Sequence, residues 1–343
     1  MPDAVSLELL LHAAIALVPV LLFLAALVYF DGFKLLQFRT VVLMVAIGAV
    51  AAGASYPLNT LAYERFPGEF QSFSRYVSPW IEEFLKAVPL VFLIRTRRVG
   101  LQVDAAIVGF AVGTGFALVE NLYYLALRPD SALVVQIIRG FGTAIMHGGA
   151  ASALTMISVT IYEKRPNSGL QIFLPGFFAA VALHSIFNIL LVRPVIATTV
   201  MVVVLPFVIY WVFQQSERAL RAWLDKDLDS NVQLLESIQT GTFLDSNSGR
   251  YLQSLRDRFR GEDLADMLCC VRLHSELALR AKGVLLLRES GMEELPIDGE
   301  TQEKLVELAQ LERAIGRTGV LALRPLIMAT GKEIWQLTLL GRK

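Results

Sequence analysis

Up to about residue 214 the chain is a succession of apolar runs, most close to twenty residues long, separated by short polar breaks. A bilayer core about 30 Å thick takes roughly 20 helical residues to cross, and seven segments have that length: 8–30, 38–58, 76–95, 102–127, 132–162, 170–192 and 195–214. The third is the least apolar because it holds Glu82, Glu83 and Lys86, and the fifth is long enough to tilt or to start late. Only Arg193-Pro194 separates the last two, so a six-span reading stays open. With 55% hydrophobic and 18% charged residues, the chain is more apolar than a soluble domain. The expected fold is all-α: a polytopic helical membrane bundle of about seven spans over residues 1–214, followed by a mainly helical soluble domain over 215–343.

Lys and Arg in short loops collect on the cytoplasmic side of a membrane. Lys34, Arg39, Arg95, Arg97, Arg98, Lys164 and Arg165 fall on one side of the seven-span layout, and Arg65, Arg75, Arg128 and Arg193 on the other. That bias predicts a multi-pass plasma-membrane protein with its amino terminus extracytoplasmic. The C-terminal domain, opening with Arg218, Arg221 and Lys226, is then cytoplasmic. The acidic lead-in at Asp3 and Glu8 argues against a removed signal peptide.

Against this apolar background the polar positions stand out: Glu82, Glu83 and Lys86; Glu120 with Asn121; His147; and His184 with Asn188. A charge at the bilayer centre costs about 2.5–3.5 kcal/mol on the most lenient scale, so several in one bundle indicate a polar site. At a rise of about 1.5 Å per residue, Glu82, Glu83 and Glu120 lie roughly 10 Å below the extracytoplasmic surface and His184 roughly 12 Å. His147 lies deeper unless its helix tilts or starts late. Helical spacing flanks Lys86 with both carboxylates, an arrangement that either holds one glutamate ionised and leaves the other to react, or is simply a buried ion pair. Glu120 has no basic residue within a turn and needs a partner from another helix. Arg139 reads as snorkelling outward, with a hold on a substrate carbonyl as the weaker alternative. His12 and His274 fall outside the layer. Gly109 and Gly113, at spacing four in an apolar span, suit close helix packing and not a nucleotide loop.

The order Glu82-Glu83-x-x-Lys86, Phe116-x-x-x-Glu120, His147 before Gly148-Gly149-Ala150-Ala151-Ser152, and His184-x-x-x-Asn188 resembles the PrsW family of intramembrane proteases, relatives of the type II CAAX prenyl endopeptidases. The resemblance covers roughly residues 75–192. It implies hydrolysis of a peptide bond in membrane-anchored protein substrates, such as anti-sigma factors, with Glu82, Glu83, Lys86, Glu120, His147, His184 and Asn188 as the catalytic set. One departure is Ala151, four residues after His147, where the third family motif carries an acidic residue. Glu and His together can activate water directly or ligate zinc. The expected ligands are Glu120, His147 and His184, the base Glu82 or Glu83, and the oxyanion donor Asn188 or Asn121. The two-histidine zinc signature on a single helix is absent. A proton- or ion-coupled transporter would use the same residue types, but no internal repeat supports one, and a seven-span sensor leaves the paired glutamates unexplained.

In the tail, 264–279 and 305–315 have the periodicity of amphipathic helices, and Gln239–Gly249 reads as a linker or long loop. Cys269 and Cys270 are adjacent, without metal spacing, and read as buried thiols in a reducing compartment. Thirty-one basic against 31 acidic residues offer no case for nucleic-acid binding. The partners expected are the lipid bilayer and a membrane-anchored protein.

Overall fold

The computed structural model describes residues 2–31, 36–129, 131–165, 169–190, 194–289, 292, 298–327 and 340. Lys34, Arg193 with its turn, and the side chains of Asp3, Arg221 and Lys226 lie outside what it describes. The described residues form helices and no strands. They divide into two compact units, Met1–Ser216 and Glu217–Lys343.

In the first unit the helices are α1 (Pro2–Tyr29), α2 (Phe38–Tyr63), α3 (Phe70–Tyr76), α4 (Ser78–Arg95), α5 (Gln102–Leu127), α6 (Leu133–Ile137), α7 (Ala144–Lys164), α8 (Leu174–Leu190) and the start of α9 (Pro194–Gln239). Among the described residues six stretches are long and apolar enough to cross a membrane: Leu7–Tyr29, Phe38–Tyr63, Gln102–Leu127, Leu133–Lys164, Leu170–Ile189 and Thr198–Gln215. The difference from the seven expected is α4, whose 18 residues include Glu82, Glu83, Lys86 and Arg95.

α5 is the hub, packing on α7, α2 and α1. Glycine makes this possible: a Cβ on Gly109 would press into the Ala151 carbonyl, one on Gly113 into that of His147, and one on Gly115 into that of Val45. Small residues let helix backbones meet where lipid supplies no hydrophobic drive. The result is a helix buried along 83% of its apolar stretch, against 12% for the stretch in α9.

The fifth apolar segment is not one regular helix. Between α6 and α7 the residues Ile138–Thr143 make a π-helical turn, which takes up an extra residue and re-aims the side chains that follow. Gly140 lies against the Ile15 carbonyl of α1, where no Cβ would fit.

In the second unit α10 (Asn247–Ser254), α11 (Gly261–Glu289) and α12 (Gly299–Ile327) bury Phe243, Leu252, Met267, Cys270, Val271, Leu277, Leu308 and Leu323. The expected long loop at Gln239–Gly249 is a compact connector instead. Gly241 takes a left-handed φ of 76° after α9, Thr242–Asp245 form a 3₁₀ turn that buries Phe243, and Ser246 caps α10 by accepting from the Gly249 N–H. The polar residues that suggested a loop are turn and cap residues. Of the two thiols, Cys270 is buried and Cys269 exposed. Burial first, then the charges of Glu312 and Asp266, push the Cys270 thiol up to about 12, which leaves it inert.

Candidate active site

Four helices bring Glu82, Glu83 and Lys86 (α4), Glu120 (α5), His147 (α7) and His184 (α8) into one buried polar layer. Lys86 Nζ stands 2.6 Å from Glu83 Oε1 and 3.0 Å from His147 Nδ1. His147 Nε2 lies 2.9 Å from Glu120 Oε2, and His184 Nδ1 lies 2.8 Å from Glu83 Oε1. The contacts form a continuous chain, Glu120–His147–Lys86–Glu83–His184, running through all four helices.

Hydrogen-bond chemistry fixes the tautomers. An ammonium only donates, so His147 Nδ1 accepts from Lys86 and its Nε2–H donates to Glu120. Glu83, paired with Lys86, only accepts, so His184 carries a proton on Nδ1 and in its neutral form presents a lone pair at Nε2. That lone pair faces Glu82 Oε2 at 3.8 Å. The Phe116 ring packs against both ends of the Lys86–His147 contact, 4.5 Å from Nζ and 4.9 Å from the imidazole. This explains the aromatic residue one turn before Glu120.

Several sequence expectations change. Lys86 is not flanked by both carboxylates: it pairs with Glu83 alone among the described contacts, because His147 draws the ammonium to that side. Glu82 is held instead by Ser78 Oγ at 2.6 Å and by Asn59 Nδ2 of α2 at 3.2 Å, both donating to Oε1. Neither residue stands out in the sequence. Ser78 sits one turn before Glu82 at the helix start, a signal that helical spacing contains, whereas Asn59 comes from a distant helix and gives none. Arg139 does not snorkel outward: its Nη2 is 3.3 Å from Glu120 Oε2 and its guanidinium lies 3.8 Å over the Tyr124 ring. The π-helical turn directs it inward.

The two amides are drawn elsewhere. Asn121 Nδ2 donates to the Ala16 and Arg139 carbonyls, which uses both its hydrogens. Asn188 Nδ2 donates to the Ser74 carbonyl of α3, tying that short helix to α8. His12 is buried in α1 apart from the layer.

Glu82, His147 and His184 each offer a donor atom within 4.8 Å of the other two, and all three are buried. Glu120 stands on the far side of His147, hydrogen-bonded to Nε2. The donor types suit zinc, and His184 has its second nitrogen anchored on a carboxylate, as metal-bound histidines do. Bonds of about 2.0–2.2 Å set ligand atoms closer together than 4.8 Å, so the set fits in kind, and binding would require it to contract and His147 to give up its contact with Lys86 or Glu120.

A bundle of membrane-length helices with a buried Glu/His/Lys layer defines a polytopic membrane protein with hydrolytic residue types. The chain belongs to the PrsW family of intramembrane metalloproteases, which it matches over residues 37–212. Comparisons with curated proteins and with solved structures returned no match. Family membership makes this an intramembrane protease, acting on protein in a bilayer.

Proposed function

We propose that the chain hydrolyses a peptide bond of a membrane-anchored protein near the extracytoplasmic face, with Glu82 and His184 activating the water. The observation that carries this reading is the pair of acceptors Glu82 Oε2 and His184 Nε2, 3.8 Å apart and each fixed from behind. Ser78 and Asn59 hold the other oxygen of Glu82, and Glu83 holds the other nitrogen of His184. A water donating one hydrogen to each acceptor at about 2.8 Å fits that gap and turns its lone pairs outward. As the water oxygen bonds to the carbonyl carbon, Glu82 takes its proton, and the carbonyl electron pair moves onto oxygen. Collapse of the adduct breaks the C–N bond, and Glu82 returns the proton to the leaving nitrogen.

Lys86 balances Glu83, so that Glu83 stays a carboxylate and keeps His184 in the useful tautomer. Glu120 does the same for His147. Zinc held by Glu82, His147 and His184 would take up the lone pairs assigned above to the water and would itself supply Lewis-acid polarisation of water and carbonyl at this place. The loop charges support an extracytoplasmic amino terminus, and we read Glu217–Lys343 as a cytoplasmic domain.

The test compares membranes of cells producing the wild type and Glu82→Gln by sequencing newly formed protein termini. The reading expects termini in single-span proteins that appear only with the wild type. Identical terminal profiles would refute it. Metal content by mass spectrometry, wild type beside His147→Ala/His184→Ala, decides the zinc question: about one ion per chain, lost in the variant, is the positive outcome.

A further inference from the structure

Arg139 takes no part in that scheme, yet the fold holds it firmly in the polar layer. Its backbone carbonyl accepts from Asn121, and its neighbour Gly140 is seated on the Ile15 carbonyl. The guanidinium rests on Tyr124, and the π-helical turn points it at Glu120 Oε2, the same oxygen that accepts from His147. Arginines that compensate a carboxylate frequently place their fork on it in a bidentate bond. Here the single approach to Glu120 is 3.3 Å, and Nε and Nη2 are buried without a hydrogen-bond partner among the described residues. The side chain is 13% exposed and that of Glu120 24%, so the layer opens at this end.

A guanidinium cannot shed its charge, so buried donors of this kind call for an acceptor. The surroundings say which kind. Glu120 already neutralises Arg139, and Glu82 and Glu83 stand in the same layer, so a phosphate or other full anion would meet repulsion. A neutral acceptor that gains charge only during reaction meets none in the ground state and is stabilised in the transition state. On the proteolytic reading above, we propose that Arg139 is the oxyanion residue: its N–H groups that make no hydrogen bond here donate to the scissile carbonyl oxygen as water adds to the carbon. The electron pair of the carbonyl settles on that oxygen and returns when the C–N bond breaks. Glu120 and Tyr124 keep the fork aimed.

The experiment measures cleavage of a fluorescently labelled single-span membrane protein, one that yields a new terminus in the comparison above, by detergent-purified wild type, Arg139→Ala, Arg139→Lys and Glu83→Gln. Arg139→Ala is expected to lower kcat roughly 10²-fold, with KM within about twofold of wild type. Added guanidinium ion should restore part of the rate to Arg139→Ala and none to Glu83→Gln. Arg139→Lys keeps the charge beside Glu120 but lacks the fork, and is expected to stay below about a tenth of wild type. Wild-type rates in Arg139→Lys would overturn the proposal in favour of simple charge pairing, and would do so even if Arg139→Ala failed to fold. Raised KM at unchanged kcat in Arg139→Ala would also overturn it. A wild type no more active than Glu83→Gln would instead refute the proteolytic reading, and this role with it.

Discussion

In the membrane unit Lys86, Glu83, His147, Glu120 and His184 are bonded to one another inside the helices, whereas in the C-terminal unit the ion pairs run along open helix faces. There Arg272 pairs with Glu276, Lys304 reaches both Glu276 and Glu300, and Arg280 meets Asp298. His274 shows the contrast most clearly. It is as buried as the histidines of the layer but has no carboxylate partner among the described residues; burial, with the charge of Lys282 adding to it, brings its imidazole down to about 4. One unit keeps charge inside by linking it into a network that four helices must build together. The other sets these ion pairs at its surface while burying Lys282 and keeping the His274 imidazole beside it neutral. A network that costs so much to bury is retained for what it does, and a surface pair is not.

Activity is where the two units should differ most. Glu82→Gln and His184→Ala are each expected to lower the cleavage rate about 10²–10⁴-fold without loss of folded protein, read with the labelled single-span substrate and by size-exclusion profile. A variant retaining the wild-type rate would remove that residue from the chemistry. Stability comes next. Lys86→Met leaves Glu83 buried and without its ion pair, which should cost about 3–5 kcal/mol, seen as an earlier thermal unfolding in detergent. The double variant Glu83→Leu/Lys86→Met should recover most of that stability and none of the activity, which would separate the network's chemistry from its packing.

His274 gives a pH effect of definite sign. Its folded value of about 4 lies below the ordinary 6.5, so the unfolded chain binds the proton more readily. Its contribution is complete above pH 6.5 and is lost as pH falls toward 4, by about 3 kcal/mol at most. Hydrogen exchange in α11, corrected for intrinsic rates, should show that loss in the wild type and much less of it in His274→Gln. The smallest effect belongs to the surface: Lys304→Met should change stability by about 0.5 kcal/mol or less, and less still in high salt. A larger loss there would mean that the surface pairs form a network of their own.

Much of the molecule is legible in the order of its residues. The apolar runs predict the helices, and Glu82, Glu83, Lys86, Glu120, His147 and His184 are all marked by one argument, that lipid tolerates such groups only for cause. The residues that escape this argument are instructive. Asn59 and Ser78 are ordinary polar residues near helix ends, where water is close and polarity carries no signal. Arg139 reads in the wrong direction because the π-helical turn that re-aims it has no periodic signature; Gly140 and Gly142 are its faint trace. Asn121 reads as a candidate oxyanion donor, whereas α1 and the π-helical turn supply acceptors for both its hydrogens.

The class of fold and the set of buried polar groups follow from the chain's residues taken one segment at a time, because both rest on the cost of placing polar atoms in a bilayer. Pairing does not follow in this way. Whether Lys86 serves Glu82 or Glu83, which nitrogen of each histidine carries the proton, and whether Arg139 faces lipid or the polar layer all depend on distances between helices. Those distances are set where Gly109, Gly113 and Gly140 let backbones touch, and no single helix contains that information.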